Sequence, residues 1–442
     1  MAIQLSDHFT YKKLLKFTIP SIIMLVFTSV YTVVDGFFVS NFVGKTPFAA
    51  LNLIWPVIQA VGVIGFMFGT GGSALVSKLL GEGKKEKANE VFSMLVYVSL
   101  AVGVVVAVAV CIFLKPIAIF LGAEGEMIYY CVLYGRILIV ASIAFLLQIE
   151  FQSFLVVAEK PKFGLVVTIA AGITNIVLDA LFMVVLKLGL AGAALATGLS
   201  QVVGGIIPLF YFIFCKNGML HLTKTNIDVS ALFKACTNGA SEMMTNLSMS
   251  LVSVVYNFQL LKFAGENGLA AYGVIMYLNF IFTAVFLGYS VGSAPVISYH
   301  YGAQNYDELH NLTVKSNVVT AVFAVMMALL GFVLARPLSS AFVGYDAQLF
   351  EMTERGMTIY CISFLLAGFN IFSSAFFTAL NNGVVSAAIS FLRTLVFQIV
   401  PVLILPVFWG LDGIWFSVVV SEFLAIIVSL FFYIRMQPKY KY

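Results

Sequence analysis

Twelve long apolar segments alternate with short polar stretches along this 442-residue chain. Each segment has about 20 residues or more, which is the length that an α-helix needs to cross a bilayer. Barrel strands would be about ten residues long and would alternate strictly between apolar and polar positions, and these segments do not. The pattern therefore predicts an all-α polytopic membrane protein. Its expected spans are residues 16–40, 48–78, 90–114, 127–157, 162–186, 189–214, 233–262, 268–299, 312–335, 352–381, 383–408 and 411–435.

The chain repeats itself at an offset of 221 residues, which is half its length. Residues 48–51 (Phe-Ala-Ala-Leu) return at 269–272 (Leu-Ala-Ala-Tyr), and residues 189–192 (Gly-Leu-Ala-Gly) return at 410–413 (Gly-Leu-Asp-Gly). Each half contains six spans. Because six is even, both halves have the same orientation and are related by an axis along the membrane normal. This predicts two six-helix lobes around a central cavity, a layout typical of transporters.

The basic residues predict how the chain is oriented in the membrane. Lysines and arginines are concentrated at the N-terminus, in the even-numbered loops and at the C-terminus, and the loop after the second span holds Lys84, Lys85 and Lys87. Positive residues favour the cytoplasmic side, so both termini are predicted to be cytoplasmic, in a multi-pass plasma-membrane protein. The expected domains are an N-terminal lobe over 1–215, a cytoplasmic linker over 216–230 and a C-terminal lobe over 231–442.

The composition argues against several other classes of protein. This chain is 61% hydrophobic and only 10% charged, and a soluble domain of this size could not bury so many apolar side chains away from water. The net charge of +4 is spread over loops, so no nucleic-acid partner is expected. The five cysteines are scattered and indicate neither a disulfide framework nor a zinc site. We expect a monomer in contact with the lipid bilayer, without a cofactor other than a coupling ion.

The two halves differ in four polar residues of the first lobe. A carboxylate in hydrocarbon costs several kcal/mol unless it is protonated, paired or hydrated, so an acid in an apolar span is read first as a functional site. At the repeat offset each of the four has an apolar or aromatic counterpart. The pairs are Asp35 with Tyr256, Asn175 with Val396, Asp179 with Val400, and Thr197 with Val418.

These first-lobe residues are predicted to lie at one depth. Asp35 is about six residues from the outer end of span 1, or roughly 9 Å along a helix. Asp179 and Thr197 have similar depths in spans 5 and 6, and Asn175 lies one helical turn from Asp179. Two carboxylates in a dry site cannot both be charged cheaply, so one is expected to hold a proton. The same oxygens also suit Na⁺. The alternative is a buried hydrogen-bond network that locks three helices together.

Several motifs resemble the multidrug and toxic compound extrusion (MATE) family. The first span carries Pro20, Tyr31 and Asp35-Gly36, and the loop before span 3 reads Gly81-Glu82-Gly83-Lys84. The resemblance covers the whole chain and is to the DinF-like and MepA-like branch. It departs from the NorM-like branch, which places acids in helices 7 and 10. Span 10 here has no acid in its apolar core, and Glu242 of span 7 lies near the cytoplasmic end.

The resemblance implies both a function and site residues. Family members export organic, often cationic and amphipathic compounds, driven by inward H⁺ or Na⁺. The branch's first-lobe ion site falls on Asp35, Asn175, Asp179 and Thr197, which would also be the metal ligands if the ion is Na⁺. Helix 1 of that branch bends near a proline, and the matching residue is Pro20. The candidate substrate contacts are Tyr31, Gln148 and Gln152, although local helix–helix hydrogen bonding explains the glutamines equally well.

Three alternative functions make different demands on the sequence. A flippase for lipid-linked precursors would need a cationic cavity for pyrophosphate, but only Arg136 and Arg393 lie within or beside spans. An enzyme would need a nucleophile or a metal constellation within the spans. A channel does not need a paired-lobe repeat, which suits alternating access. We therefore predict a multidrug exporter, with the flippase as the alternative.

Overall fold

The computed structural model describes residues 3–43, 45–216 and 218–442, and in these residues it is almost entirely helical. Seven helices form the first lobe. π-Helical segments at Phe68–Gly72 and Ala180–Val185 continue the second and sixth of them. The helices are α1 (Tyr11–Phe42), α2 (Lys45–Met67), α3 (Ser73–Gly81), α4 (Lys85–Phe120), α5 (Glu126–Val157), α6 (Pro161–Asp179) and α7 (Gly189–Phe214).

Six helices form the second lobe, and a π-helical segment at Leu392–Val396 joins two of them into one span. They are α8 (Val229–Gly302), α9 (Tyr306–Val343), α10 (Ala347–Ala379), α11 (Gly383–Phe391), α12 (Phe397–Trp409) and α13 (Leu411–Tyr440). Eleven helical stretches among the described residues are long and apolar enough to cross a membrane. The 74-residue α8 contains two crossings, so the predicted twelve spans are confirmed.

Gly265 divides α8 into its two crossings. Its backbone angles, φ 60° and ψ −148°, lie outside the helical region, in a conformation open mainly to glycine. The rings of Tyr256 and Tyr272, on either side of this bend, stack with centroids 5.4 Å apart. The two halves of α8 therefore fold back against each other as neighbouring spans.

Both the interior and the exterior of the helix bundle are apolar. On α4, Leu95 and Leu114 are fully buried, whereas Val105 and Ile112 are 68% and 66% exposed. Exposed aliphatic surface of this extent is expected where helices face lipid rather than water.

The second lobe contains a buried ion pair between two different spans. Arg393 donates from Nε and Nη2 to Glu422, with the Nη2–Oε1 distance 2.8 Å. Asn370 donates from Nδ2 to Glu422 Oε2 at 2.7 Å, and Ser429 donates to Asn370 Oδ1 at 3.1 Å. The carboxylate is thus neutralised and hydrogen-bonded, as burial of a charge requires.

The two lobes meet closely at the basic end of the molecule, which we define as the end carrying the 82–84 loop and both chain termini. Glycines allow backbones to touch there: a Cβ on Gly239 would lie 2.0 Å from Met67 O, and one on Gly302 would lie 2.1 Å from Lys78 O. Ser298 Oγ donates to Ala74 O across the same boundary at 2.5 Å. We call this boundary the inter-lobe seam, and its close approach follows from the absence of side chains at the glycines.

The N-terminal segment adds a second link between the lobes at the basic end. Leu5 N donates to Glu159 Oε1 of the first lobe at 2.7 Å, and Phe9 N donates to Glu308 Oε1 of the second lobe at 2.8 Å. The side chains of Leu5 and Phe9 are fully buried. Separation of the lobes at this end would break these contacts.

Candidate functional site

Helices α1 and α6 pack closely and bring two acids of the first lobe together. Gly172 of α6 lies against α1, where an added Cβ would be 2.9 Å from the Tyr31 ring. Asp179 follows two turns later on the same face of α6. Its carboxyl group lies beside that of Asp35, close enough for the two groups to interact directly. The structure therefore joins the two acids that the sequence places at one depth.

Three of the four oxygens of these two carboxyl groups are buried without a hydrogen-bond donor in the described part of the chain. Asp179 is fully buried, and neither of its oxygens has a hydrogen-bond partner. Asp35 Oδ1 is also buried without a partner. Facing carboxylates repel each other in a medium of low dielectric, so the arrangement requires a proton or a cation between them.

Asn175 and Thr197 complete the polar group. Asn175 is buried one turn before Asp179, and its Nδ2 donates to Thr197 Oγ1 of α7 at 3.5 Å. The bond orients the amide so that Asn175 Oδ1 remains available as an acceptor. A π-helical segment begins at Ala180, directly after Asp179. Such segments are rare and frequently occur at functional sites.

The chemistry of the site favours a proton or a hard monovalent cation over a transition metal. Its ligand atoms are carboxylate, amide and hydroxyl oxygens, which suit hard cations. No group of three or more His, Cys, Asp or Glu side chains that could hold a metal occurs in the described ranges.

Tyr134 of α5 also belongs to this site, although the sequence analysis did not single it out. Its side chain is fully buried and its hydroxyl has no hydrogen-bond partner among the described residues. The group is close enough to interact electrostatically with both Asp35 and Asp179. The only signal in the sequence is a lone tyrosine near the outer end of span 4, at about the depth of the acids.

We predict that Tyr134→Phe changes the ion dependence of transport without unfolding the protein. Loss of one hydroxyl near the acids removes up to about 1 kcal/mol of interaction with the bound ion, or about fivefold in the half-maximal ion concentration. Stability is expected to hold, because the hydroxyl has no partner to lose. Transport against ion concentration and thermal unfolding measure the two effects. Tyr129→Phe, at an exposed position of the same helix, is the control, and an equal response of both variants would remove Tyr134 from the site.

The candidate substrate contacts lie near the acids to different degrees. The Tyr31 hydroxyl is close to Gln148 and interacts electrostatically with Asp35. Gln148 is buried against Gly204 of α7. Gln152 is half-buried one turn further along α5, and its side chain makes no hydrogen bond to a described residue. The structure therefore places Tyr31 beside Asp35, and Gln148 beside Tyr31.

Pro20 lies within α1, fifteen residues before Asp35. A proline inside a helix removes one backbone hydrogen bond and weakens the helix locally. A bend at this position would move the Asp35 end of α1 relative to the rest of the first lobe.

The counterpart of the site in the second lobe is a closed hydrogen-bond cluster. Tyr256, which occupies the position of Asp35, bonds through its hydroxyl to Gln398 Oε1 at 2.9 Å and to Ser417 Oγ at 2.8 Å. Its donor and acceptor capacity is satisfied by neutral partners. The polar asymmetry seen in the sequence thus corresponds to unsatisfied carboxyls in the first lobe and a fully bonded tyrosine hydroxyl at the matching place in the second.

The architecture defines a membrane transporter with two lobes of six spans, and comparison with known proteins agrees. The MatE family model matches residues 20–181 and 242–404. This chain belongs to the MatE family. It is therefore a multi-pass membrane transporter of small molecules rather than an enzyme.

Individual relatives extend the comparison over nearly the whole chain. The multidrug export protein MepA of Staphylococcus haemolyticus is 25% identical over 427 residues, covering 95% of this chain and 92% of the relative. MepA of Staphylococcus aureus is 24% identical over 436 residues, with the same coverage.

Solved structures show the same fold. An outward-facing multidrug resistance MATE family transporter of the MOP superfamily superimposes with a TM-score of 0.93 at 23% identity, covering 100% of this chain and 99% of that chain. A crystal structure of MATE in complex with MaL6 gives a TM-score of 0.93 at 22% identity, with 98% of each chain covered. At this identity the likeness concerns the fold.

Proposed function

We propose that this protein is a secondary active exporter of small organic compounds, chiefly amphipathic cations, coupled to inward H⁺ or Na⁺. The observation that carries the proposal is the neighbouring pair Asp35 and Asp179, in which Asp35 Oδ1 and both oxygens of Asp179 have no donor within the described part of the chain. The relatives named multidrug export proteins support the substrate class. The protein acts as a monomer in the plasma membrane, with the basic end and both termini in the cytoplasm.

The proposed cycle uses the difference in charge between the empty and the loaded site. A proton or Na⁺ enters from outside and neutralises the pair, with Asn175 and Thr197 contributing neutral oxygens. Neutralisation removes the repulsion between the two carboxylates, so α1 and α6 can repack. The two lobes then rotate relative to each other about the site. Coupling requires that the ion binds one lobe arrangement more tightly than the other, since an ion without that preference drives nothing.

The closed seam at the basic end agrees with an arrangement that faces outward. Close backbone contact at Gly239 and Gly302 holds the two lobes together at that end. The basic loops at that end follow the positive-inside rule. A flippase of anionic precursors is less well supported, because Arg393 is neutralised by Glu422.

Uptake of a fluorescent organic cation into inverted membrane vesicles tests this function. One imposed gradient, either H⁺ or Na⁺, is expected to drive accumulation above the level in vesicles without the protein. Applying the gradients one at a time identifies the ion. If the amount of accumulated dye is the same with and without each gradient, secondary active export is contradicted.

A further inference from the structure

A polar cleft of about 570 Å³ opens at the basic end, on the boundary between the two lobes. The first lobe lines it with Lys78, Glu82 and Lys84, and the second lobe lines it with Tyr301 and Gln304. A ligand in this cleft would therefore touch both lobes at once. We call it the basic-end cleft.

The two sides of the basic-end cleft are equivalent parts of the repeat. Gly81 and Gly302 are 221 residues apart, and so are Lys78 and Tyr299. A Cβ on Gly81 would lie 2.0 Å from Tyr299 O, and one on Gly302 would lie 2.1 Å from Lys78 O. These contacts are reciprocal, so the cleft adjoins the axis that relates the lobes. Opening of the inter-lobe seam would pull its two sides apart.

The charge in the cleft comes from the first lobe. Lys78 Nζ lies 3.9 Å from Glu82 Oε1, and Lys84 Nζ lies 2.7 Å from Glu82 Oε2. In the second repeat the positions of the two lysines are occupied by Tyr299 and Asn305, which are neutral. Two ammonium groups thus share one carboxylate, so positive charge is in excess in the cleft.

The second lobe offers these lysines no acid within the lining that the structure describes. Its lining residues are all neutral, and they are Tyr301, Gly302, Ala303, Gln304 and Tyr306. Lysines that served to pair the lobes directly would be expected to face an acid there. The amide of a glutamine and the hydroxyl of a tyrosine can instead donate hydrogen bonds. An anion is the ligand that can accept from both sides of the cleft.

The lysines retain capacity to bind such an anion. The side chain of Lys84 is 62% exposed and that of Lys78 is 32% exposed. Lys78 Nζ lies over the ring of Tyr301 at 5.3 Å, and Lys441 Nζ lies over the ring of Tyr306 at 5.2 Å, which adds a third positive charge beside the cleft. Each ammonium group has three donors, so contacts with one carboxylate and one ring do not exhaust them.

We propose that the basic-end cleft binds a phosphate group, carried by an anionic lipid or by a soluble compound, and that the bound phosphate holds the inter-lobe seam closed. Lys78 and Lys84 bind its oxygens from the first lobe, and Gln304 donates to it from the second. Because opening of the seam would separate these donors, the phosphate binds the closed arrangement more tightly and shifts the lobe equilibrium towards it.

The distance between the lobes tests this proposal in the full-length protein. Spin labels at Glu86→Cys and His310→Cys, exposed positions outside the cleft, are placed in a variant without the native cysteines. Nanodiscs of phosphatidylcholine give the reference. Inorganic phosphate is added in one arm, phosphatidylglycerol replaces a quarter of the lipid in the other, and sodium chloride keeps the ionic strength equal.

The ratio of short to long distances is expected to rise in at least one arm. Phosphate that binds only the closed arrangement, at ten times its dissociation constant, raises this ratio about tenfold. A response to phosphatidylglycerol alone identifies a lipid head group, and a response to inorganic phosphate identifies a soluble source. The same distance distribution in the reference and in both arms would overturn the proposal.

The double variant Lys78→Gln with Lys84→Gln is expected to weaken the response to the effective anion about tenfold, because both charge-assisted contacts are lost. Lys85→Gln is the matched control, since it removes an exposed lysine beside Lys84 that does not line the cleft. An equal loss in the control would show a general effect of surface charge and would overturn the role of the cleft.

Glu82→Gln is expected to have the opposite effect. It removes the carboxylate that competes with phosphate for the two lysines, so the anion concentration for half-maximal closure should fall about five- to tenfold. Misfolding does not produce such a gain. Glu90→Gln, at an exposed position of α4, is the control and should change nothing. A weaker or unchanged response of Glu82→Gln would contradict the proposed contacts. None of these measurements needs a drug or an ion gradient, so they are independent of the proposed export function.

Discussion

Asp35→Asn is expected to reduce gradient-driven export about 10- to 100-fold, which corresponds to losing the coupling energy typical of linked binding sites. Asparagine keeps the size of aspartate but can take up neither a proton nor the charge of Na⁺. Its amide can donate to the Asp179 carboxylate, which has no partner now. The unfolding temperature should therefore stay the same or rise. Uptake in vesicles and thermal unfolding of the purified variant test both statements.

Two further variants make this test specific. Asp179→Asn should behave like Asp35→Asn, and the double variant should be no worse than either, because two residues that share one ion act as a unit. Asp307→Asn, an exposed acid at the basic end, is the control and should export normally. Normal gradient-dependent export by Asp35→Asn would rule out the facing acids as the coupling site.

Gly239→Ala is expected to open the inter-lobe seam. The added Cβ would lie 2.0 Å from the backbone oxygen of Met67, a contact that only separation of the backbones can relieve. Overpacking of this kind costs about 1–3 kcal/mol, so the lobe equilibrium should move about 5- to 150-fold away from the arrangement seen here. Export should slow, because the arrangement seen here becomes rare.

The distance between the lobes measures this shift. Spin labels at Lys84→Cys and Asp307→Cys, in a variant without the native cysteines, report the separation across the basic end by double electron–electron resonance. Gly239→Ala should add a population at longer distance. Gly273→Ala on the same helix is the control, because an added Cβ there meets nothing within 4 Å. The same distance distribution in both variants would contradict the role of the seam.

The spans and some residues of the candidate site can be predicted from the sequence because both leave local signals. A bilayer imposes a minimum helix length, so hydropathy alone counts the spans. The two crossings within α8 are predicted correctly even though the helix is continuous except at Gly265. Asp35 and Asp179 stand out because charges are rare in apolar spans, and the repeat shows that the second half has no counterparts to them.

Other parts of the site depend on which way side chains point. In the sequence nothing distinguishes Tyr134 from the other aromatic residues of span 4. Only the packing of α5 brings its hydroxyl near the two acids. Glu422 was not singled out, although it pairs with Arg393 of a neighbouring span. Glu242 and Arg393, far apart in the sequence, become neighbours only because both line one cavity between the lobes.

The sequence by itself determined the class of fold, the number of spans, the two-fold repeat and the acids of the first lobe. The tertiary structure decided that these acids face each other, that Gly239 touches the backbone of Met67, and that Glu242 and Arg393 share a cavity. The physical reason for this division is that the solvent around the helices is apolar lipid. Because lipid-facing and core-facing positions are both apolar, hydropathy shows where a helix crosses the membrane but not which of its faces meets another helix.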